Sequence, residues 1–223
     1  DDGSIPGVKE TVDLLGRISD TKIIFKYSVW VIDLDPNSAA GIFASTSRKD
    51  PLNAEEVLGF LQPKKNGLAV AARFLEFIIY QQNSNEEKYH NKLASIYIDT
   101  ILQLLPQGGR EARGEVAADR TDPLSVARMN LLKLMEVSKV FNAGAILLRI
   151  KDAPLYDEQI LCHTKLGNYE EALNILYLNL KRPKKAIAYC AKYQSEVQGD
   201  TNLFLTLLKV QIKGLKGKRK RGI

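Results

Sequence analysis

Apolar residues recur at spacings of three and four along almost the whole sequence, and no stretch alternates apolar with polar residues as a half-buried strand requires. In VKETVDLLGRI, Val8, Thr11, Val12, Leu15 and Ile18 fall on one stripe of a helix. KIIFKYSVWVIDL repeats the stripe through Ile24, Tyr27, Val31 and Leu34, behind a cap at Asp20-Thr21. Asp35-Pro36 sets a capping side chain before a proline, the order that opens a helix, here SAAGIFAS. Asn53 caps VLGFL, with Glu55 and Glu56 in a first turn where the helix dipole favours acids. LAVAARFLEFIIYQQ carries its apolar face on Leu68, Ala71, Leu75, Ile78 and Ile79. Ser84 to Glu87 has the form of a capping box opening a helix that runs through Tyr89, Leu93, Ile96, Tyr97 and Ile101 to Leu105. The pattern resumes at Pro123 with LSVARMNLLKLMEV and VFNAGAILLRI, and closes with LYDEQILCHTKLG, NYEEALNILYLNL, PKKAIAYCAKY and TNLFLTLLKVQI.

Roughly a dozen short helices joined by tight turns can pack as a bundle or as a solenoid of antiparallel pairs. That number is large for one bundle core. The expected fold is therefore all-α, an α-solenoid of antiparallel helical hairpins. Residues 1–105 are expected to form its N-terminal part and 122–212 its C-terminal helical-repeat part. Between them PQGGREARGEVAADRT, 106–121, has neither apolar stripe nor aromatic residue and is expected to be a flexible surface loop. Residues 213–223 form a basic tail.

The 45% apolar and 26% charged residues of this 223-residue chain are those of a folded protein, not of a disordered one. No apolar run approaches the roughly 20 residues that span a bilayer. The chain opens on Asp1-Asp2-Gly3-Ser4 with no signal-peptide pattern and no initiator Met, which suggests an intracellular piece of something longer. The net charge of +6 is carried by Lys213, Lys216, Lys218, Arg219, Lys220 and Arg221, with no acid among them, so the rest of the chain is formally neutral. Lys216, Lys218, Arg219, Lys220 and Arg221 are candidates for contact with a polyanion, against the plainer reading of a solvated terminus. Without aromatic residues to stack on bases they give no reason to expect specific nucleic-acid binding.

Catalytic chemistry has little to stand on. Cys162 and His163 are adjacent, and the sequence holds one further cysteine, Cys190, and one further histidine, His90. The spacing lacks the C-x₂₋₄-C and H-x₃₋₅-H that turn four side chains to one zinc ion. Cys162 is expected in the core, His163 in a groove or on the surface, and Cys190 buried at the end of a stripe with Ile187. The pairs Glu86/Glu87 and Glu170/Glu171 point about 100° apart on a helix, away from a shared substrate. Gly108-Gly109 lacks the strand, Lys and Ser/Thr of a phosphate loop. No catalytic residue, cofactor or metal is expected, and Trp30, on an apolar helix, is expected in the core.

The most informative segment is Gly167-Asn168-Tyr169-Glu170-Glu171-Ala172-Leu173. Gly167 suits the left-handed turn that ends one helix, Asn168 the cap of the next, and Ala172 the close approach of two helix backbones. Gly167, Asn168, Tyr169 and Ala172 thus form a structural repeat turn of the kind found in tetratricopeptide and clathrin-heavy-chain repeats. Gln159-Ile160 and Asn179 stand where a tetratricopeptide has small residues, and no strict 34-residue period recurs. The looser clathrin style is the better fit.

Order along the chain sharpens this. KLGNYEEALNILYLNLKRPKKAIAYC followed by NLFLTLLKVQI resembles a region of the vacuolar-sorting subunit family of the HOPS and CORVET tethering complexes, in which a K-[LM]-G-x-[HY]-E-x-A-L turn precedes an A-x-x-Y-C helix end and a leucine-rich helix. WVIDLDPNSAAGIF, PLNAEEVLGFL, FLEFII and EEKYHNKLASIYIDTIL resemble the family's preceding segments in the same order, from about Trp30 to Ile212. EEKYHNKLASIY tilts the resemblance towards the family's transforming-growth-factor-β receptor-associated, endosomal members, in their middle to C-terminal region. The resemblance implies a noncatalytic scaffold of a tether that brings Rab-marked membranes together before fusion. It implies other class C tethering-complex subunits as partners, a Rab GTPase contacted through regions outside this segment, and a cytoplasmic protein peripheral on endosomal or lysosomal/vacuolar membranes. The alternative is a signalling adaptor that binds TGF-β-type receptors or their SMAD effectors.

Overall fold

A computed structural model describes residues 7–105, 121–197 and 201–219, the last four of them as backbone alone. Among the described residues every regular element is helical, so the fold is all-α. Twelve α-helices are seen: α1 Val8–Leu15, α2 Thr21–Leu34, α3 Pro36–Phe43, α4 Ala54–Leu61, α5 Gly67–Glu76, α6 Glu87–Leu104, α7 Pro123–Val137, α8 Ala143–Ile150, α9 Tyr156–Lys165, α10 Tyr169–Asn174, α11 Pro183–Tyr193 and α12 Leu203–Arg219. The chain divides into two compact units, Asp1–Ile96 and Tyr97–Ile223. The division falls inside α6, whereas the sequence suggested the change of composition at 105/106. A polar insertion marks a place where chain length is tolerated, which need not be where packing changes. Residues 106–120 lie outside the described residues.

In the first unit α2, α3 and α4 start on local side-chain caps, while α1 and α5 start without one. Asp20 Oδ1 accepts from the backbone N–H of Lys22 at 2.9 Å and of Ile23 at 3.3 Å. Asp35 accepts from Asn37 and Ser38, both at 3.1 Å, and Asn53 from Glu55 at 2.9 Å and Glu56 at 3.2 Å. These side chains satisfy N–H groups that a helix cannot satisfy for itself. The bonds from Ser38, side chain first, hold the Asp35 carboxyl below its ordinary range. Ser84 is a weaker start than its capping-box pattern suggests: its hydroxyl accepts from Glu86 at 3.4 Å, and α6 begins only at Glu87.

Helix α3 packs against α1, α2 and α5, and its small residues make that possible. Ala39 and Ala40 are buried beside Ile42 and Phe43, and a Cβ on Gly41 would come within 3.2 Å of the Val12 side chain. Phe43 meets Phe60 and Phe74, at 6.2 and 6.4 Å between ring centroids, and Phe60 stacks on Phe25 at 4.2 Å. Helix α2 buries Ile24, Ser28, Val31 and Ile32, leaving Tyr27 and Leu34 exposed. Trp30, expected in the core, is 39% exposed, and Leu68 on α5 is likewise on the outside. Each of these helices is apolar on more than one side, and only the side facing a neighbour is buried.

The second unit is a run of hairpins in which α8 packs on α9, α9 on α10, and α10 and α11 on α12. Its main cluster joins Ile160, Ala172, Leu173, Leu176, Ala186 and Leu207. Beside it a fork-to-fork ion pair ties α7 to α9: Arg128 Nε to Glu158 Oε1 at 2.7 Å and Nη2 to Oε2 at 2.9 Å, both side chains buried. Asp157 sits 3.8 Å from Arg128 and 3.6 Å from Arg182. Burial and the neighbouring Glu158 raise the Asp157 carboxyl above its ordinary value, and the two arginines oppose that rise.

Both units contain a termination that the sequence does not announce. Helix α5 runs into a π-helical turn, Phe77–Gln81, and α10 into another, Ile175–Asn179. Each is closed by wider bonds, Gln82 N to Phe77 O and Ser84 N to Ile78 O in the first, Leu180 N to Ile175 O and Arg182 N to Leu176 O in the second. A non-glycine residue then takes a left-handed conformation, Asn83 with φ 52° and Lys181 with φ 55°. The same device in each unit is a structural sign of repetition where the sequence has no fixed period.

The Arg128–Glu158 pair gives a test. Glu158→Ala leaves a buried guanidinium with only Asp157, 3.8 Å away, in place of its fork-to-fork carboxylate and should cost about 3 kcal/mol, whereas the double replacement Arg128→Met with Glu158→Leu should cost clearly less. Chemical denaturation of the three proteins reads the difference; a double variant as unstable as the single one would show that the pair itself holds α7 to α9.

Candidate functional site

The turn between α9 and α10 is built as a Schellman motif. Gly167 has φ of 74°, its N–H donates to Thr164 O at 3.0 Å, and Asn168 N–H donates to His163 O at 2.8 Å. Those bonds close the end of α9 and reverse the chain. Asn168 occupies the cap position of α10, but its side chain accepts no bond from the helix. Its ψ is 59°, while Asp20, Asp35, Asn53, Asp122 and Asn142, whose side chains do cap, have ψ between 85° and 147°. The tight glycine turn fixes ψ where the side chain cannot reach back. Tyr169 is half-buried against the main cluster, and Ala172 is fully buried in it. Where a tetratricopeptide would have a small residue, Gln159 is buried and donates from Nε2 to Ile150 O and Ala153 O, both at 2.8 Å.

The thiols and imidazoles do not converge. Cys162 and Cys190 are free and buried. Burial, with a contribution from Glu158, pushes the Cys162 thiol up to about 12, and burial also raises Cys190, whose Sγ lies 3.4 Å from Leu203 O. Both thiols are packed in the interior, and burial disfavours the thiolate that a nucleophile or metal ligand needs. His163 is half-buried beside a shallow groove with Leu147, Leu148 and Lys151, and burial lowers its affinity for a proton. His90 is buried, with Nε2 2.9 Å from Ser84 O. No group of three or more His, Cys, Asp or Glu side chains able to hold a metal ion occurs among the described residues.

What the structure offers instead is surface. Helix α12 turns Leu203, Leu207 and Val210 inward, and on its opposite side leaves Phe204, Leu205, Leu208, Ile212 and Leu215 exposed. Lys209 and Lys213 are exposed on its flank. Helix α12 continues through Lys216 and Lys218 to Arg219, so the basic segment expected as a tail from residue 213 begins inside a helix. Lys220 and Arg221 lie outside the described residues. Helix α2 carries a second such stripe, Ile23, Tyr27, Trp30 and Leu34. The sequence holds the signal for both in helices apolar on two faces, which periodicity alone takes for one broad core face. No helix among the described residues is long and apolar enough to cross a membrane.

Comparison with known proteins places these surfaces in context. The chain is 29% identical over 208 residues to the transforming growth factor-beta receptor-associated protein 1 homolog of Danio rerio, covering 90% of this chain and 23% of the relative. It is 28% identical over 219 residues to the Vam6/Vps39-like protein of Homo sapiens, covering 93% and 24%. It is 25% identical over 221 residues to the vacuolar protein sorting-associated protein 39 homolog of Caenorhabditis elegans, covering 95% and 24%. The chain is homologous to both groups. It spans about a quarter of the length of the curated relatives it matches. No family model matches it, and no solved structure does.

Two glycines separate conformational from steric cost. A Cβ on Gly167 would meet nothing within 4 Å, so Gly167→Ala costs only the left-handed backbone, about 1 kcal/mol. A Cβ on Gly67 would lie 1.8 Å from Leu61 O, and Gly67→Ala should cost about 3 kcal/mol as the backbone shifts. Equilibrium unfolding of the two variants checks the order. The thiols give a second measure: both should stay unreactive to DTNB in the native protein and react together on unfolding, and prompt native-state labelling of Cys162 would show its site to be open.

Proposed function

We propose that this chain is a noncatalytic helical-repeat segment of a membrane-tethering subunit of the CORVET or HOPS type, acting in vesicle-mediated protein transport and membrane fusion. The observation that carries the reading is similarity over nine-tenths or more of the chain to proteins named for vacuolar protein sorting. The structure supports it in kind: a hairpin closed by a glycine turn, a repeated π-turn termination, buried thiols, and apolar side chains left outward on α2 and α12. Such a segment works geometrically. Within each unit the helices bury one face on their neighbours and leave another outward for partners.

The partners in this reading are the other class C tethering subunits, with Rab GTPase contact made by regions beyond this segment. The protein is peripheral on endosomal or lysosomal/vacuolar membranes. The basic residues of α12, Lys213, Lys216, Lys218 and Arg219, add attraction for anionic surfaces. The full-length protein, affinity-purified from cells, should recover CORVET or HOPS subunits, and deletion of this segment should lower that recovery. Recovery of none of them overturns the assignment, and recovery of receptor cytoplasmic tails in their place would favour an adaptor.

A further inference from the structure

Helix α12 is held firmly on its inner side. Leu203, Leu207 and Val210 are buried there, α10 and α11 pack on it, and a Cβ on Gly214 would lie 2.7 Å from a methyl of Leu178. On the outer side Leu205, Leu208, Ile212 and Leu215 follow one another at intervals of three, four and three residues, each between 45% and 62% exposed. That is the seven-residue spacing of a helix-pairing seam, whose holes take the side chains of a second helix. Phe204 widens the seam at its start.

The residues beside the seam set the chemistry of its partner. Lys209 and Lys216 each follow a seam residue directly and border it on one side; on the other stand Gln211 and Lys218, and the helix carries no acidic residue. One step further round, Lys213 has Glu170 at 4.0 Å, a solvent-exposed pair too weak to neutralise that flank. The outward stripe of α2, Ile23, Tyr27, Trp30 and Leu34, is spaced in the same way, but Lys26 and Asp33 beside it differ in sign, and Lys26 lies over the Tyr27 ring, 5.0 Å from its centre. That stripe selects no charge; the seam of α12 does. Two copies of α12 would set lysine against lysine, which opposes pairing. A bilayer with anionic lipids would attract the same cations, but it gains nothing from a seven-residue spacing.

We propose that the outer face of α12 docks an acidic amphipathic helix of another protein, its apolar seam against Leu205, Leu208, Ile212 and Leu215 and its Glu or Asp residues at the flanking positions, opposite the lysines of α12. Apolar burial supplies the affinity and the flanking charges choose the partner. The proposal deepens the reading of α12 as an outward partner surface. Recovery of tethering subunits from cells does not depend on which face of this segment is used, so the two fail separately.

The test uses the full 223-residue chain and fluorescein-labelled three-heptad peptides read by anisotropy, with Leu at the seam positions and Glu, Gln or Lys at the flanking ones. The Glu peptide should bind about tenfold or more tighter than the Lys peptide, with the Gln peptide between them, and more weakly as salt rises. Leu208→Gln with Ile212→Gln should abolish binding and leave thermal melting unchanged, because both side chains are outward. Lys209→Glu with Lys216→Glu should turn the preference to the Lys peptide, an exchange that unspecific apolar adhesion does not produce. Failure of all three peptides, equal binding of the three, full binding by a folded seam variant, or an unchanged preference in the folded charge-reversed protein overturns the proposal. Tighter association with phosphatidylserine vesicles than with the Glu peptide, lost in the seam variant, overturns it in favour of a membrane. A dimer that the same variant dissociates overturns it in favour of a second copy.

Discussion

A chain made of short helices must dispose of a large number of helix ends, and the carboxyl ends are the harder half. Each helix leaves its last carbonyls without partners, and where the end is buried water cannot supply them. In this protein backbone turns close α9 and the π-turns after α5 and α10, and at other ends the supply comes from a polar side chain outside the helix. Arg48 reaches the ends of α1 and α3, and Asn66 reaches Ile32 O and Asp33 O at the end of α2. Gln159 closes α8, and Lys165 reaches Ser138 O at 3.3 Å and Lys139 O at 3.0 Å beyond α7. Apolar burial brings the helices together; these bonds fix how far along its axis each helix can slide on its neighbour. Arg48 bonds carbonyls at the ends of two different helices and so couples α1 to α3, while Asn66, Gln159 and Lys165 each close the end of one helix from outside it.

This division explains which features could be read from sequence. The amino ends are local: Asp20, Asp35 and Asn53 cap a helix two or three residues on, and a local pattern finds them. The carboxyl-end staples span about 30 residues in the case of Arg48 and Ile18, and no pattern marks an arginine as destined for a carbonyl. The same limit hides the π-turns, because FIIYQ and ILYLN carry helical periodicity and depart from it only through the bonds that close them. Trp30 illustrates a different limit. Period-3.6 spacing tells which residues share a face, but not whether a neighbour covers it. Gly167 and Ala172 were legible because turn chemistry and small size act at the residue itself, whereas Asn168 was legible as a position and not as a bond.

The neutral body and the two outward stripes bear on how such a segment meets partners. Each side chain of a stripe contributes about 1.5–3 kcal/mol when fully covered, so four or five together can support association without any catalytic geometry. Their flanks differ in kind. Helix α12 carries Lys209 and Lys213 beside its stripe, with Lys213 4.0 Å from Glu170 as a solvent-exposed pair of little energetic weight. Its cations are therefore free to steer an acidic partner, and contact there should weaken with salt.

Arg48 obeys the opposite rule. Its cation is removed from solvent and held by carbonyls, so salt screens it poorly. The same side chain also closes α1 and α3. One arginine can close two helix ends because its planar fork presents several donors in fixed directions, which lysine, a point charge on a flexible stem, does not.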